Sequence, residues 1–328
     1  MIIVIILEVI FFVLAFIFSL TRGLSPLKAF LVLGSLLMSA ELVLPFNAHA
    51  HGGGGEEPLP AGEFRTTKYM TLEGHHGVEN SKDDSPTHHG LDGLFGLVMD
   101  WGLENDGMFS IEAAVGPVLV WGEADHFYGA VHHEEGEEEE HAAHDTDFKR
   151  TDFRGLLKFK YAPNDRLSFS LDTKPYFVTR NQGEEKEGTK NEIGAKALYE
   201  FGEGDVNFAL GDSFADLIDG TYVSLEHRQG WDSEGTWQGE YTDTRLGVGF
   251  DVDLLSIRLE GGPRFFNPRS NAELSNRTDF AGELEVSRPI GEKVEFFFHW
   301  QPSFTEKDGD EWSEAWNHHV GTGLTYRF

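Results

Sequence analysis

The chain has 328 residues, no cysteine, and 56 acidic against 26 basic side chains, for a formal net charge of −30. Without cysteine there are no disulfides, thiolate metal sites or cysteine nucleophiles. A field of this sign repels nucleic acid and anionic lipid heads and draws cations. The 38 glycines and 27 phenylalanines suit a sheet of many strands better than a helical bundle.

Residues 1–50 carry no net charge, since Glu8 and Glu41 cancel Arg22 and Lys28. Met1–Leu20 is apolar apart from Glu8, Thr21–Lys28 adds two positive charges, and Ala29–Leu44 is apolar again, ending in Ala48-His49-Ala50. A positive patch, a short apolar core and a small-x-small end predict a secretory signal peptide cut after Ala50. The first stretch does not fit that pattern. Either translation starts nearer Leu20 or Leu24, or Met1–Leu20 is a membrane-anchoring helix, for which about 18 apolar residues suffice. Residues 51–62 read as a flexible tail.

From residue 63 the dominant period is two. Leu167, Phe169, Leu171, Thr173, Pro175 and Phe177 alternate with Arg166, Ser168, Ser170, Asp172, Lys174 and Tyr176; Val294, Phe296, Phe298 and Trp300 alternate with Lys293, Glu295, Phe297 and His299. Alternation sends the two sets to opposite faces of a strand. One face is apolar enough to meet lipid and the other is polar, charged or glycine, as in a transmembrane barrel. Strands are expected near 63–73, 91–103, 107–122, 150–162, 165–180, 189–202, 219–229, 240–252, 254–266, 276–289, 292–304 and 315–328. Turn chemistry sits at Glu104–Gly107, Ala162–Asp165, Gly202–Asp205 and Gly291-Glu292. Long polar loops fall at 74–90, 123–149, 181–188, 230–239, 267–275 and 305–314, which gives one end of the barrel short turns and the other long loops. Val206, Phe208 and Leu210 look like a further strand, but 203–218 is read as an excursion at the short-turn end. The expected fold is an all-β antiparallel transmembrane barrel of about twelve strands, with roughly fourteen as the alternative.

The chain ends Leu324-Thr325-Tyr326-Arg327-Phe328. A terminal Phe preceded by apolar or aromatic residues at alternate positions resembles the C-terminal assembly signal of bacterial outer-membrane proteins. With the leader and the strand pattern, the chain resembles porin-like barrels as a class. That resemblance implies residence in the bacterial outer membrane after export through the periplasm, with outer-membrane lipid and lipopolysaccharide as neighbours.

The inward set carries both signs: Arg154, Lys158, Lys160, Arg166, Lys174, Arg245, Arg258 and Arg264 with Asp172, Asp243, Asp251, Glu260, Glu283, Glu285 and Glu295. Among these, Arg154, Lys158, Asp243, Arg245, Arg258, Glu260, Glu283 and Glu295 are the candidate pore-lining residues. They either line a narrow selective pore or pair with one another and close the lumen. His299 and His319 also point inward, as hydrogen-bonded lumen residues.

Nine of the 15 histidines fall between 75 and 144. His75, His76, His88 and His89 belong to the first expected outer loop. His126, His132, His133, Glu134, Glu135, His141, His144 and Asp145 belong to the second, beside Glu137–Glu140. Imidazole suits zinc, nickel and copper, and carboxylate suits harder ions. These twelve residues are therefore the candidate metal ligands, by composition and without a defined cage. The loops are similar in composition to the acidic, histidine-rich loops of periplasmic zinc-uptake proteins. A loosely held zinc, nickel or copper ion is the cofactor this implies, and none is obligatory. The competing reading is a solvated acidic loop. Trp231, Trp237, Trp312 and Trp316 flank the loops, as an interfacial girdle would.

No nucleophile elbow, phosphate loop, dinucleotide fingerprint or zinc-protease motif occurs. Ser224 and His227 have opposite parity on one strand, so no catalytic constellation forms there. The expected function is a porin-like channel whose acidic outer loops concentrate divalent cations. The alternatives are a non-conducting structural or metal-sequestering barrel and an outer-membrane hydrolase.

Overall fold

A computed structural model describes residues 59–81, 87–122, 148–179, 188–201, 220–231, 237–252, 254–268, 276–305 and 315–328. The expected export leader, most of loop 123–149 and the excursion at 203–218 lie outside the described residues. Twelve strands run in chain order: β1 Phe64–Ser81, β2 Thr87–Gly102, β3 Met108–Gly122, β4 Phe148–Asn164, β5 Leu167–Val178, β6 Gly188–Glu200, β7 Thr221–Trp231, β8 Trp237–Val252, β9 Leu255–Pro268, β10 Arg277–Pro289, β11 Val294–Thr305 and β12 Ala315–Arg327. Each pairs antiparallel with its neighbours in sequence, and β1 pairs with β12 from Tyr69↔Arg327 to Ser81↔Ala315. The sheet is closed, so no strand has an unpaired edge.

Burial is inverted relative to a water-soluble protein. Leu246 is 60% exposed and Phe280 58%, whereas Asp92 is 2% and Glu200 0% exposed. Leu72, Leu171, Leu225, Leu259, Phe265 and Leu324 also lie open on the outer face. Exposed apolar surface on this scale needs an apolar solvent. Backbone groups in hydrocarbon must all be paired, which a closed barrel achieves.

Local chemistry explains the joints. The β2–β3 turn places Asn105 and Asp106 both at φ 57, the left-handed geometry of the tightest hairpins, which these two residue types tolerate best. Gly291 supplies φ 82 between β10 and β11.

Proline cannot donate to a ladder, yet Pro117, Pro175, Pro263 and Pro302 sit inside strands. In each case the ladder to the preceding strand skips two pairs and resumes in the same register: after Asp92↔Val118, Arg154↔Tyr176, Asp243↔Arg264 and Ala281↔Ser303. Each proline keeps its pairing on the other side, with Phe153, Asn191, Phe280 and His318. Three of the four openings put a glycine opposite the ring: Gly93, Gly155 and Gly282.

Two sequence expectations change. The outer loop expected at 74–90 contracts, because β1 continues to Ser81 and β2 begins at Thr87. Glycine- and histidine-rich composition suggested a loop, but Gly74–Val78 pair in register with both β2 and β12, and cross-strand pairing outweighs local propensity. The tail expected at 51–62 is docked at its end: Gly62 donates to the Gly102 carbonyl at 2.9 Å and Glu63 to the Pro60 carbonyl at 2.9 Å.

Candidate functional site

The lumen face follows from alternation along twelve tilted strands. Charges taken out of bulk water require partners, and the wall is built as a set of ion-pair clusters. On β5 to β7, Arg228 spans Asp172 at 2.9 and 3.1 Å, Glu226 at 2.9 Å and Glu192 at 3.5 Å. On β7 to β10, Arg245 bonds Asp243 at 2.6 Å and Glu260 at 2.8 Å and lies 3.7 Å from Glu283. Arg264 shares the same Asp243 at 2.7 Å, and the Tyr222 hydroxyl donates to Glu260 at 2.8 Å. Arg150 and Tyr176 both donate to Asp152, at 2.6 and 3.0 Å. Near the short-turn end, Asp100 accepts from Arg65 at 3.2 Å and Ser110 at 2.6 Å, and Glu295 accepts from Arg327 at 3.2 Å.

All eight candidate pore-lining residues fall on the inward side of this register. Seven of them take part in the ion pairs: Arg154 with Asp92 and Glu73, Asp243 with Arg245 and Arg264, Arg245 also with Glu260 and Glu283, Arg258 with Glu285, and Glu295 with Arg327. Lys158 is half-buried, opposite Glu112 on β3 and Asp172 on β5. The pairs differ in their access to water. Arg258 and Glu285, 3.2 Å apart, keep 41% and 38% of their side-chain surface accessible, and Lys174 on β5 is also exposed. Asp243 beside Arg245 is almost fully covered.

The candidate metal ligands separate. His75 points inward, 3.7 Å from Asp92. His76 and His89 face outward across the β1–β2 ladder, with their Nδ1 atoms 3.1 Å apart and their rings stacked at 4.5 Å. Strand alternation therefore forbids the single His75–His76 site that a loop would have allowed. His88 pairs with Gly77 and Gly122 in the backbone ladder. His126, His132, His133, Glu134, Glu135, His141, His144 and Asp145 lie outside the described residues. Ser224 faces inward and His227 outward, bonded to Thr242 at 3.0 Å.

A second inward group forms across β1, β12 and β11. Glu73, His299 and His319 bring one potential ligand atom each to within 4.8 Å of one another. The alternation places both histidines inward, but Glu73 ends the strand expected at 63–73, whereas β1 continues for eight more residues. Extending the Thr67-Tyr69-Thr71-Glu73-His75 alternation past residue 73 would have found it. On the outside, Trp300, His318 and Trp316 stack at 6.0 and 5.9 Å, and Gln229, Glu240 and Asn267 form a hydrogen-bonded polar patch. These residues mark where the apolar belt gives way to the interface, a place suited to tryptophan.

The family model described as "Cyanophage outer membrane protein like beta barrel domain" matches residues 207–328, the stretch that holds β7 to β12. No curated protein matches the chain in sequence. Among solved structures, the chain is similar to an outer-membrane channel from Pseudomonas putida F1, with TM-score 0.48, 12% identity, and 87% of this chain and 100% of that one covered. It is also similar to the translocator domain of the autotransporter NalP from Neisseria meningitidis (TM-score 0.44, 13% identity, 90% and 94% covered). A third is an anion-selective porin from Comamonas acidovorans (TM-score 0.36, 10% identity, 81% and 100% covered). The closed barrel with its inverted burial and the family match define the class: this is an outer-membrane β-barrel protein, and its place is the bacterial outer membrane.

Proposed function

We propose that the barrel is a passive channel for small hydrophilic solutes and ions, with acidic outer loops that enrich cations at its mouth. The observation that carries the reading is the exposure of Arg258 and Glu285. A charged pair that points toward the barrel axis yet keeps 41% and 38% of its surface accessible needs water beside it. About eight strands fill their interior with side chains, and roughly sixteen leave an open channel; twelve lie between. The wall pairs hold their charges against the strands.

The enrichment of cations rests on composition. Glu134, Glu135 and Glu137–Glu140, with His132, His133, His141 and His144, make one long loop strongly acidic and imidazole-rich. A charged rim raises the local concentration of counter-ions before entry. Its histidines suit borderline divalent cations such as zinc, nickel or copper.

The test is electrical. Purified, folded full-length protein added to a planar lipid bilayer should insert in discrete conductance steps. Folded protein that inserts without raising the current overturns the channel and leaves a structural barrel.

A further inference from the structure

We infer that Glu73, His299 and His319 form a divalent-metal site in the wall of the lumen, suited to zinc or a similar borderline cation. This site is distinct from the loop histidines and does not depend on them. Three observations converge. The first is chemistry. Two imidazoles and one carboxylate are a familiar three-ligand set for zinc, and they leave a position open to water. The second is distance. Ligands about 2.1 Å from a tetrahedral ion stand about 3.4 Å from one another. His299 Nε2 and Glu73 Oε1 are already 3.5 Å apart, and all three ligand atoms lie within 4.8 Å of one another. Side-chain torsions alone close the remainder, because the ligands stand on three adjacent strands in fixed register. His299 and His75 flank Gly321 on β12 from either side.

The third observation is the space itself. A Cβ on Gly321 would lie 2.3 Å from His299 Nε2 and 2.6 Å from Glu73 Oε1. The imidazole and the carboxylate thus meet over an inward position of β12 that has no side chain. His299 Nε2 is a buried nitrogen with no hydrogen-bond partner among the described residues, and a metal ion would use it. The surroundings also suit second-layer roles. The His75 ring lies tilted beside that of His319 at 5.3 Å and reaches toward Asp92, whose Oδ1 is buried with no hydrogen-bond partner among the described residues. Arg154, 3.6 Å from Glu73 and in contact with Asp92, is the cation that a metal would displace from Glu73. Glu73 and His299 keep 12% and 18% of their side-chain surface accessible.

Calorimetry with zinc on the chelator-treated full chain, folded in detergent, tests this directly and needs no current. One saturable site is expected. Substituting His126, His132, His133, His141 and His144 by alanine should leave that site in place and remove only weaker heat. His299→Ala and His319→Ala should each weaken it by more than roughly a hundredfold, beyond the 10–100-fold effect of losing an outer-layer partner. Glu73→Gln, nearly isosteric, guards against misfolding of the alanine variants, and Gly321→Ala should weaken binding with every ligand still present. If the tight step survives in His299→Ala and His319→Ala, or vanishes in the loop variant, the lumen site is wrong. Neither result bears on conductance, so the channel stands or falls separately.

Discussion

Tyr222, fully buried, lies across Gly247 of the next strand, as Tyr69 lies across Gly96 and Phe297 across Gly323. At this scale the wall is a set of large side chains laid flat over glycines, a device that shields the glycine and fixes the ring. The glycines are not equivalent, and space decides which can change. A Cβ on Gly116 would stand 1.5 Å from the Gly93 carbonyl oxygen and 3.0 Å from Leu94 Cα, both backbone atoms of β2 at the Pro117 opening. A Cβ on Gly74 would meet nothing within 4 Å. Gly116→Ala should therefore lower stability by about 1–3 kcal/mol, the range for overpacking. Gly74→Ala should leave it unchanged or slightly raised, since alanine restricts the unfolded chain. Urea unfolding of the two variants, each refolded in the same detergent, checks this; equal midpoints would refute the backbone collision.

The β1–β2 hairpin is the element in which sequence and structure part most. Its upper half places His76 opposite His89 on the outer face. A chain without cysteine makes the test clean: the double variant His76→Cys/His89→Cys should oxidise readily to a disulfide. His76→Cys/Leu91→Cys, on the same face but displaced by two residues, sits roughly 7–8 Å apart and should not. Equal crosslinking of both pairs, read on reducing and non-reducing gels, would mean a loop and not a ladder. Strand number, the alternating faces and the turn at Glu104–Gly107 were legible because each depends on period two or on local turn chemistry. The hairpin extension was not, because nothing local in Gly74-His75-His76-Gly77 favours a strand. It is held by pairing on both sides, with partners more than two hundred residues away on β12. The same holds for the lumen site. His299 and His319 were legible as inward, but their meeting with Glu73 depends on closure of the barrel, which no local pattern records. The ladder openings at Pro117, Pro175, Pro263 and Pro302 were likewise invisible, because which residue faces each ring is set by the cross-strand register.

Across the whole molecule, charge is divided by depth. The strands carry nearly matched acids and bases, many of them paired with one another, so the surplus that makes the chain −30 belongs mainly to the loops and the tail. These two populations act over different ranges. Pairs at about 3 Å are little affected by salt, whereas loop charges act across water and are screened within about 10 Å at 0.1 M and about 3 Å at 1 M salt. Any cation preference of the channel should therefore come from the rim and fade with ionic strength. Reversal potentials in a fixed potassium chloride gradient should show cation selectivity near 0.1 M and little selectivity near 1 M. Replacing Glu137–Glu140 with glutamine should reduce the low-salt preference while leaving the high-salt value unchanged. Neutralising an exposed inward charge instead, as in Glu285→Gln, removes a partner of Arg258 and should shift selectivity toward anions at both salt concentrations. If the loop variant keeps its full preference at 0.1 M, the selectivity resides in the wall, and the acidic rim is there for solubility rather than for capture.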